Sequence, residues 1–143
     1  MPFPVVLSYS DTKEFSPAAV EELFLSVQWE SGQHPERLAE ALRHYGTVFS
    51  AWDGGRLAGL IAAMDDGTMT AYVHYLLVHP LYQKCGVGSR LLELCKRRYA
   101  GYLNVVLTSY REGAPFYERN GFIPDRTQEA MRFIPPSCGE TGL

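Results

Sequence analysis

The stretch Val78-His79-Pro80-Leu81-Tyr82-Gln83-Lys84-Cys85-Gly86-Val87-Gly88-Ser89-Arg90-Leu91 decides the reading of this chain. Behind it, Met69 to Val78 is an aromatic and β-branched run with the composition of a strand, and Pro80 ends it. Ahead of it, Gly86 to Tyr99 carries Gly88, Leu91, Leu92, Cys95 and Tyr99 at helical spacing, and Gly101 stops the pattern. A loop with two glycines therefore opens a helix directly after a strand. The first N–H groups of a helix lack intrahelical partners and carry partial positive charge, so they bind anions. Glycine lets a ligand approach the backbone closely. Residues 84–98 add Lys84, Arg90, Lys96, Arg97 and Arg98 against Glu93 alone, a net of +4 within a chain of formal net charge −3. That local excess suits an anionic ligand. The dinucleotide pattern GxGxxG fails here because Leu91 takes the third glycine position, and no Gly-Lys-Ser/Thr follows for a Walker loop.

Working outward, Asn104 to Ser109 reads as an apolar strand, so strand, helix and strand imply a right-handed crossover and a parallel pair. Upstream, Thr47 to Trp52 and Leu57 to Met64 flank the turn Asp53-Gly54-Gly55-Arg56, and Asp65-Asp66-Gly67-Thr68 turns again. Three strands on short turns form an antiparallel meander. Val5 to Tyr9 is expected as a short first strand. Ser16-Pro17 reads as a helix start, with Val20, Leu23, Phe24 and Val27 on one stripe. Ser31-Gly32-Gln33 breaks that helix. His34-Pro35-Glu36 opens the next, with Leu38, Ala41, Leu42 and Tyr45 facing inward. Pro115 lies in a short helix running to Arg119 and closed by Asn120-Gly121. Phe122 and Ala130 to Ile134 read as terminal strand material. The sum is an α+β fold: a mixed, mostly antiparallel sheet with helices on both faces, a three-layer α/β/α sandwich.

The chain has 143 residues, 46% hydrophobic and 20% charged, which predicts one domain over residues 1–143 with 135–143 as a flexible tail. No apolar run approaches the ~20 residues of a membrane-spanning helix. The acidic balance argues against nucleic acid as a partner. Cys85, Cys95 and Cys138 make an odd count with no CxxC pair, so free thiols in a reducing cytoplasm are expected. His34, His44, His74 and His79 show no metal-binding spacing.

Gln83-Lys84-Cys85-Gly86-Val87-Gly88 matches the pattern Gln/Arg-x-x-Gly-x-Gly/Ala, and Phe116-Tyr117-Glu118-Arg119-Asn120-Gly121-Phe122 follows in order as an FYxxxGF element. In these motifs, in Pro80 and Tyr82, and in element order from about Val5 to Ile134, the chain resembles the GNAT family of N-acetyltransferases. The resemblance implies that residues Gln83 to Ser89 grip the pyrophosphate of acetyl-coenzyme A. It implies that Leu76, Leu77 and Val78 pair with the pantetheine arm through their main chain, in a V-shaped gap. An N–H at Leu76 or Leu77 would polarise the thioester carbonyl. Tyr117 matches the family's general acid, beside Phe116 in the same element. The family often has asparagine where this chain has Tyr110 and alanine where it has Gly113, so the far side of the cofactor would be contacted differently.

The general base is more open. Alternation places Tyr72, His74, Leu76 and Val78 on one face of their strand, and an imidazole titrates in the useful range. His74 is similar to a histidine of the family's aralkylamine branch; a second histidine of that branch falls at Tyr72, where this chain departs. Water relays from Glu30 or a main-chain carbonyl are alternatives. The first two helices and their connection line the acceptor side in this family, so Trp29 and Glu30, with Tyr72, are the expected acceptor contacts. The whole-chain charge favours a cationic acceptor. The expected activity is transfer of an acetyl group to a primary amine, of a small molecule before a protein or peptide. A homodimer stays open. The alternative reading is an acyl-CoA-binding module without turnover.

Overall fold

A computed structural model of the protein describes residues 6–137, and the chain divides into a larger unit ending at Thr108 and a smaller one beginning at Ser109. The larger unit holds β1 (Ser8–Ser10), α1 (Pro17–Ser26), α2 (Pro35–His44), β2 (Thr47–Asp53), β3 (Arg56–Asp65), β4 (Thr70–Val78), α3 (Val87–Arg98) and β5 (Asn104–Leu107). The strands neighbour one another in chain order. Tight turns make β2, β3 and β4 antiparallel, β1 joins β2 antiparallel after the two helices between them, and the crossover through α3 returns β5 parallel to β4.

Ser16 caps α1 by accepting the Ala19 N–H at 3.2 Å, an interaction worth about 1 kcal/mol, and Pro17 takes the first turn. Val20, Leu23 and Phe24 of α1 and Leu38, Ala39 and Leu42 of α2 are buried against Val48, Leu60, Ala62 and Leu77 of the sheet. The opposite face receives α3 through Val87, Leu91, Leu92 and Cys95. A Cβ on Gly59 would lie 3.2 Å from Val87 Cγ1 and 3.3 Å from Leu91 Cδ1, so glycine lets α3 sit directly on β3. The Tyr99 hydroxyl, just past α3, lies 2.7 Å from Thr47 Oγ1 and 2.8 Å from an Asp65 carboxylate oxygen. The expected helices on both faces of a mixed sheet are thus present.

The register departs from simple alternation at one place. Ala62 of β3 opposes Tyr75 and Ala63 opposes Val73, which leaves His74 without a partner on β3. This β-bulge turns His74 and Tyr75 toward the same side. Leu77 and Tyr75 then pack with α1 and α2, whereas Leu76 and Val78 oppose Ile61 and Gly59 on the α3 side. The expected single face of Tyr72, His74, Leu76 and Val78 is therefore split: the bulge inverts the alternation after His74.

The smaller unit holds a 3-10 turn, Arg111–Gly113, and α4 (Ala114–Arg119). The expected terminal strand is not formed: Phe122 and Ala130 to Ile134 have no regular structure. Met131, Phe133 and Ile134 are 92%, 81% and 69% exposed. β-branched and aromatic composition makes a strand only where a neighbouring strand and a core exist to pair and cover it. The first strand is Ser8–Ser10 rather than Val5 to Tyr9, and Val5 lies outside the described residues, as do Cys138 and the rest of the tail beyond residue 137. No helix of the described residues is long and apolar enough to cross a membrane.

Candidate active site

β4 and β5 pair over four residues, Thr70 with Asn104 through Val73 with Leu107, and the pairing stops there. The next residue of β4 is His74, at the bulge. From Tyr75 to Val78 the strand is held by β3 alone and His74 pairs with neither strand, so the backbone groups on the other edge have no strand partner among the described residues. Leu76, Leu77 and Val78 lie on this freed segment. One of its acceptors, the Val78 carbonyl, takes the Gln83 side-chain N–H at 2.9 Å.

The freed edge leads straight into the loop. The His79 N–H donates to the Ala58 carbonyl at 2.8 Å, and His79 Nδ1 accepts the Leu81 N–H at 3.2 Å. His79 therefore shapes the 3-10 turn Pro80–Tyr82. Tyr82 is buried and its hydroxyl donates to the Asp53 carboxylate. The loop is thus pinned at its start and open beyond. Gln83, Lys84, Cys85 and Gly86 are all exposed. Lys84 and Gly86 adopt left-handed φ values of 63° and 81°, and nothing lies within 4 Å of where a Gly86 Cβ would stand. The Arg90 N–H donates to the Gly86 carbonyl at 3.0 Å. The N–H groups of Val87, Gly88 and Ser89 precede that bond and have no carbonyl inside the helix to meet.

The charges of segment 84–98 are not all at this end. At 1.5 Å per residue, Lys96 to Arg98 stand about 14–17 Å along α3 from Val87. Glu93 pairs there with Lys96 at 3.8 Å and with Arg97 at 3.3 Å. Only Lys84 and Arg90 adjoin the loop, and the Arg90 guanidinium lies over the Tyr9 ring at 5.8 Å.

His74 sits among tyrosines. Its Nδ1 is 2.6 Å from the Tyr45 hydroxyl, and its ring stacks on Tyr75 with centroids 4.1 Å apart. Tyr72 lies 6.0 Å away at a tilt. His74 is exposed at the bulge, yet these rings take part of the water from its imidazole and lower its pKa, while burial raises that of Tyr45. Trp29 packs half-buried against Phe24 and Tyr75 at centroid distances of 6.1 and 6.0 Å, so its ring belongs to the border of the core. Glu30 opens the short 3-10 turn after it and is exposed. Beside them is a cavity of about 260 Å³ lined by Ser31, His34, Arg37, Leu38, Ala41 and Tyr75. The sequence places Tyr45 only as an inward-facing helix residue; its contact with His74, the stacking of Tyr75 and this cavity come from the fold. His34 and Arg37 stand three apart at a helix start, and that spacing was the available signal.

In the smaller unit Tyr110 is exposed and precedes the turn that ends at Gly113. Tyr117 is half-buried between Phe116 and Phe122, with ring centroids at 5.1 and 5.9 Å. Its carbonyl accepts the N–H groups of Asn120 and Phe122, both at 3.0 Å, which closes α4. Burial raises its pKa and keeps the phenol protonated.

An open strand edge thus runs into a helix start with unpaired N–H groups, an arrangement with the shape to take an extended anionic ligand. Comparison with known proteins makes this specific. Residues 44–124 match the acetyltransferase (GNAT) domain, and the chain belongs to this family. It is 28% identical over 122 residues, 81% of this chain and 70% of the other, to the N-acetyltransferase ycf52 of Porphyra purpurea, itself uncharacterized. Among solved structures it resembles a GNAT-family acetyltransferase of Streptococcus pneumoniae, with a TM-score of 0.78, 27% identity, and coverage of 91% of this chain and 98% of that one. An acetyltransferase of Trypanosoma brucei, 24% identical, shares the fold with a TM-score of 0.69 over 90% of this chain and 100% of its own.

Proposed function

We propose that the protein transfers an acetyl group from acetyl-coenzyme A to a primary amine of a small molecule, by direct attack with both substrates bound. The observation that carries this reading is the end of β4–β5 pairing at Val73, which frees His74 to Val78 as an edge leading to the glycine loop. The loop fits a pyrophosphate: Gly86 is left-handed with open space beside it, and Lys84 is exposed next to it. The N–H groups of Val87, Gly88 and Ser89 would hold phosphate oxygens. His79 donates to Ala58 and Leu77 opposes Leu60, so Leu77 turns its main-chain groups to β3; Leu76 and Val78 would bind the arm by main-chain hydrogen bonds, and the Leu76 N–H would hold the developing oxyanion. Tyr110, Gly113 and Phe116 complete the proposed set.

The amine nitrogen forms a bond to the acetyl carbon, and the carbon–sulfur bond breaks. His74, whose lowered pKa keeps it neutral near pH 7, accepts the proton that the amine loses. Tyr117 gives its phenolic proton to the departing sulfur. Glu30 acting through water is the second candidate for the base. Release of free thiol from acetyl-CoA, scanned over a panel of amines, tests the proposal. Tight acetyl-CoA binding with no thiol release from any amine would instead assign a binding module.

A further inference from the structure

We propose that the acceptor is an amine that also carries a carboxylate or phosphate, and that Arg37 binds that anion. This rests on the acetyl-transfer reading and names the substrate class of the same site. The cavity beside α2 has a one-sided chemistry. Arg37 and His34 lie on its wall, Leu38 and Ala41 give it an apolar surface, and no carboxylate lines it. Glu30, Glu36 and Glu40, the acidic residues of the same stretch, are exposed and outside the lining.

Arg37 is also uncommitted. Arg43 pairs with Glu14, Arg56 with Glu22, and Lys96 and Arg97 with Glu93, but no ion pair among the described residues involves Arg37. The Ser31 and Tyr75 hydroxyls share one hydrogen bond at 2.7 Å. The Tyr75 hydroxyl also meets the Tyr45 hydroxyl, so this wall is held by a chain of hydroxyls. His34 precedes α2 without a side-chain capping bond. A guanidinium and an imidazole thus border one concavity with no acceptor of their own, donors that planar carboxylates and phosphates recruit.

The position ties this pocket to the reaction. Tyr75 forms part of its wall and stacks on His74 at 4.1 Å, so a ligand anchored there lies one ring away from the proposed base. At about 260 Å³ the concavity has room for a small zwitterion. The local lining runs against the cationic acceptor suggested by whole-chain charge.

The test compares acceptors that differ only in the anion: phosphoethanolamine with ethanolamine, and β-alanine with β-alaninamide. Thiol release should favour at least one anionic member, and the preferred pair distinguishes phosphate from carboxylate. Arg37→Gln should raise KM for the preferred acceptor on the order of tenfold to a hundredfold, the loss expected for a charged hydrogen bond, and leave acetyl-CoA affinity intact. Arg37→Lys should recover part of the loss. Preference for the neutral members, or an anion preference that survives Arg37→Gln, would overturn the proposal. If no amine releases thiol, the acetyl-transfer reading fails on its own. Calorimetric titration with phosphoethanolamine and β-alanine then decides the pocket: binding lost in Arg37→Gln supports it, and no binding overturns it.

Discussion

The Tyr45 hydroxyl lies 2.6 Å from Nδ1 of His74, and this contact sets which imidazole nitrogen is available for chemistry. For Nε2 to accept a proton, Nδ1 must carry the other one and donate it to the Tyr45 oxygen. That bond strengthens when the ring becomes charged. Tyr45→Phe keeps the ring packing but removes the acceptor, so the His74 pKa should fall further. The acidic limb of the kcat profile should move to lower pH, with kcat reduced. An upward move would mean that Tyr45 donates to Nδ1, and no move would place the base elsewhere.

His74 itself is tested by the limb. The base works only when neutral, so activity should fall as pH drops through its pKa. Crowding by Tyr45, Tyr72 and Tyr75 holds that value below the ordinary imidazole pKa of about 6.5. His74→Gln should cost on the order of 10²–10⁴ in kcat and abolish the limb. A limb that persists in His74→Gln would favour Glu30 acting through water.

Tyr117→Phe should lower kcat on the order of 10²-fold or more with acetyl-CoA affinity retained, since only the proton donor is removed. The raised pKa of the phenol predicts that no alkaline limb from this group appears below pH 10 in the parent protein. Initial rates across pH 7–10 check both statements. Because the ring contacts with Phe116 and Phe122 survive in Phe, thermal stability should be nearly unchanged.

How much of this was legible in the sequence follows from which signals are local. Ser16-Pro17, Asp53-Gly54-Gly55-Arg56 and the glycine loop are short-range chemistry, and the elements start and turn where these residues predict. The bulge is not local. Tyr72 to Val78 is apolar or aromatic at nearly every position, so alternation left no trace of where the register shifts. The stop of β5 at Leu107 is likewise set by pairing. The pocket joins residues 31–41 to Tyr75, which only the fold brings together. The terminal strand failed for the opposite reason: Ala130 to Ile134 has the propensity but no neighbour. Linear closeness misled in segment 84–98, where helix length carries three of the five cations to the far end.

Gly86→Val tests the loop's backbone. A β-branched residue at φ 81° is strained by roughly 1–2 kcal/mol, which should show as a modest loss of stability. The larger effect should be on the donor, because a side chain would occupy the open space beside the N–H groups of Val87, Gly88 and Ser89. KM for acetyl-CoA should rise at least tenfold. A variant that melts slightly earlier yet binds acetyl-CoA as before would remove the phosphate-loop assignment.

The two described cysteines supply a check that needs no substitution. Cys95 is buried against the sheet, and burial pushes its thiol pKa up to about 12, so it should resist alkylation in the folded protein. Cys85 is exposed within the loop, one residue before Gly86. A pyrophosphate held by the start of α3 would cover it. Iodoacetamide labelling, read peptide by peptide by mass spectrometry, should modify Cys85 and spare Cys95. Acetyl-CoA, which carries no free thiol to consume the reagent, should slow the Cys85 reaction severalfold at saturation. Inorganic phosphate at the same concentration should protect less, because it lacks the arm proposed to pair with the free edge of β4. Equal labelling of Cys85 with and without acetyl-CoA would separate the glycine loop from the donor site.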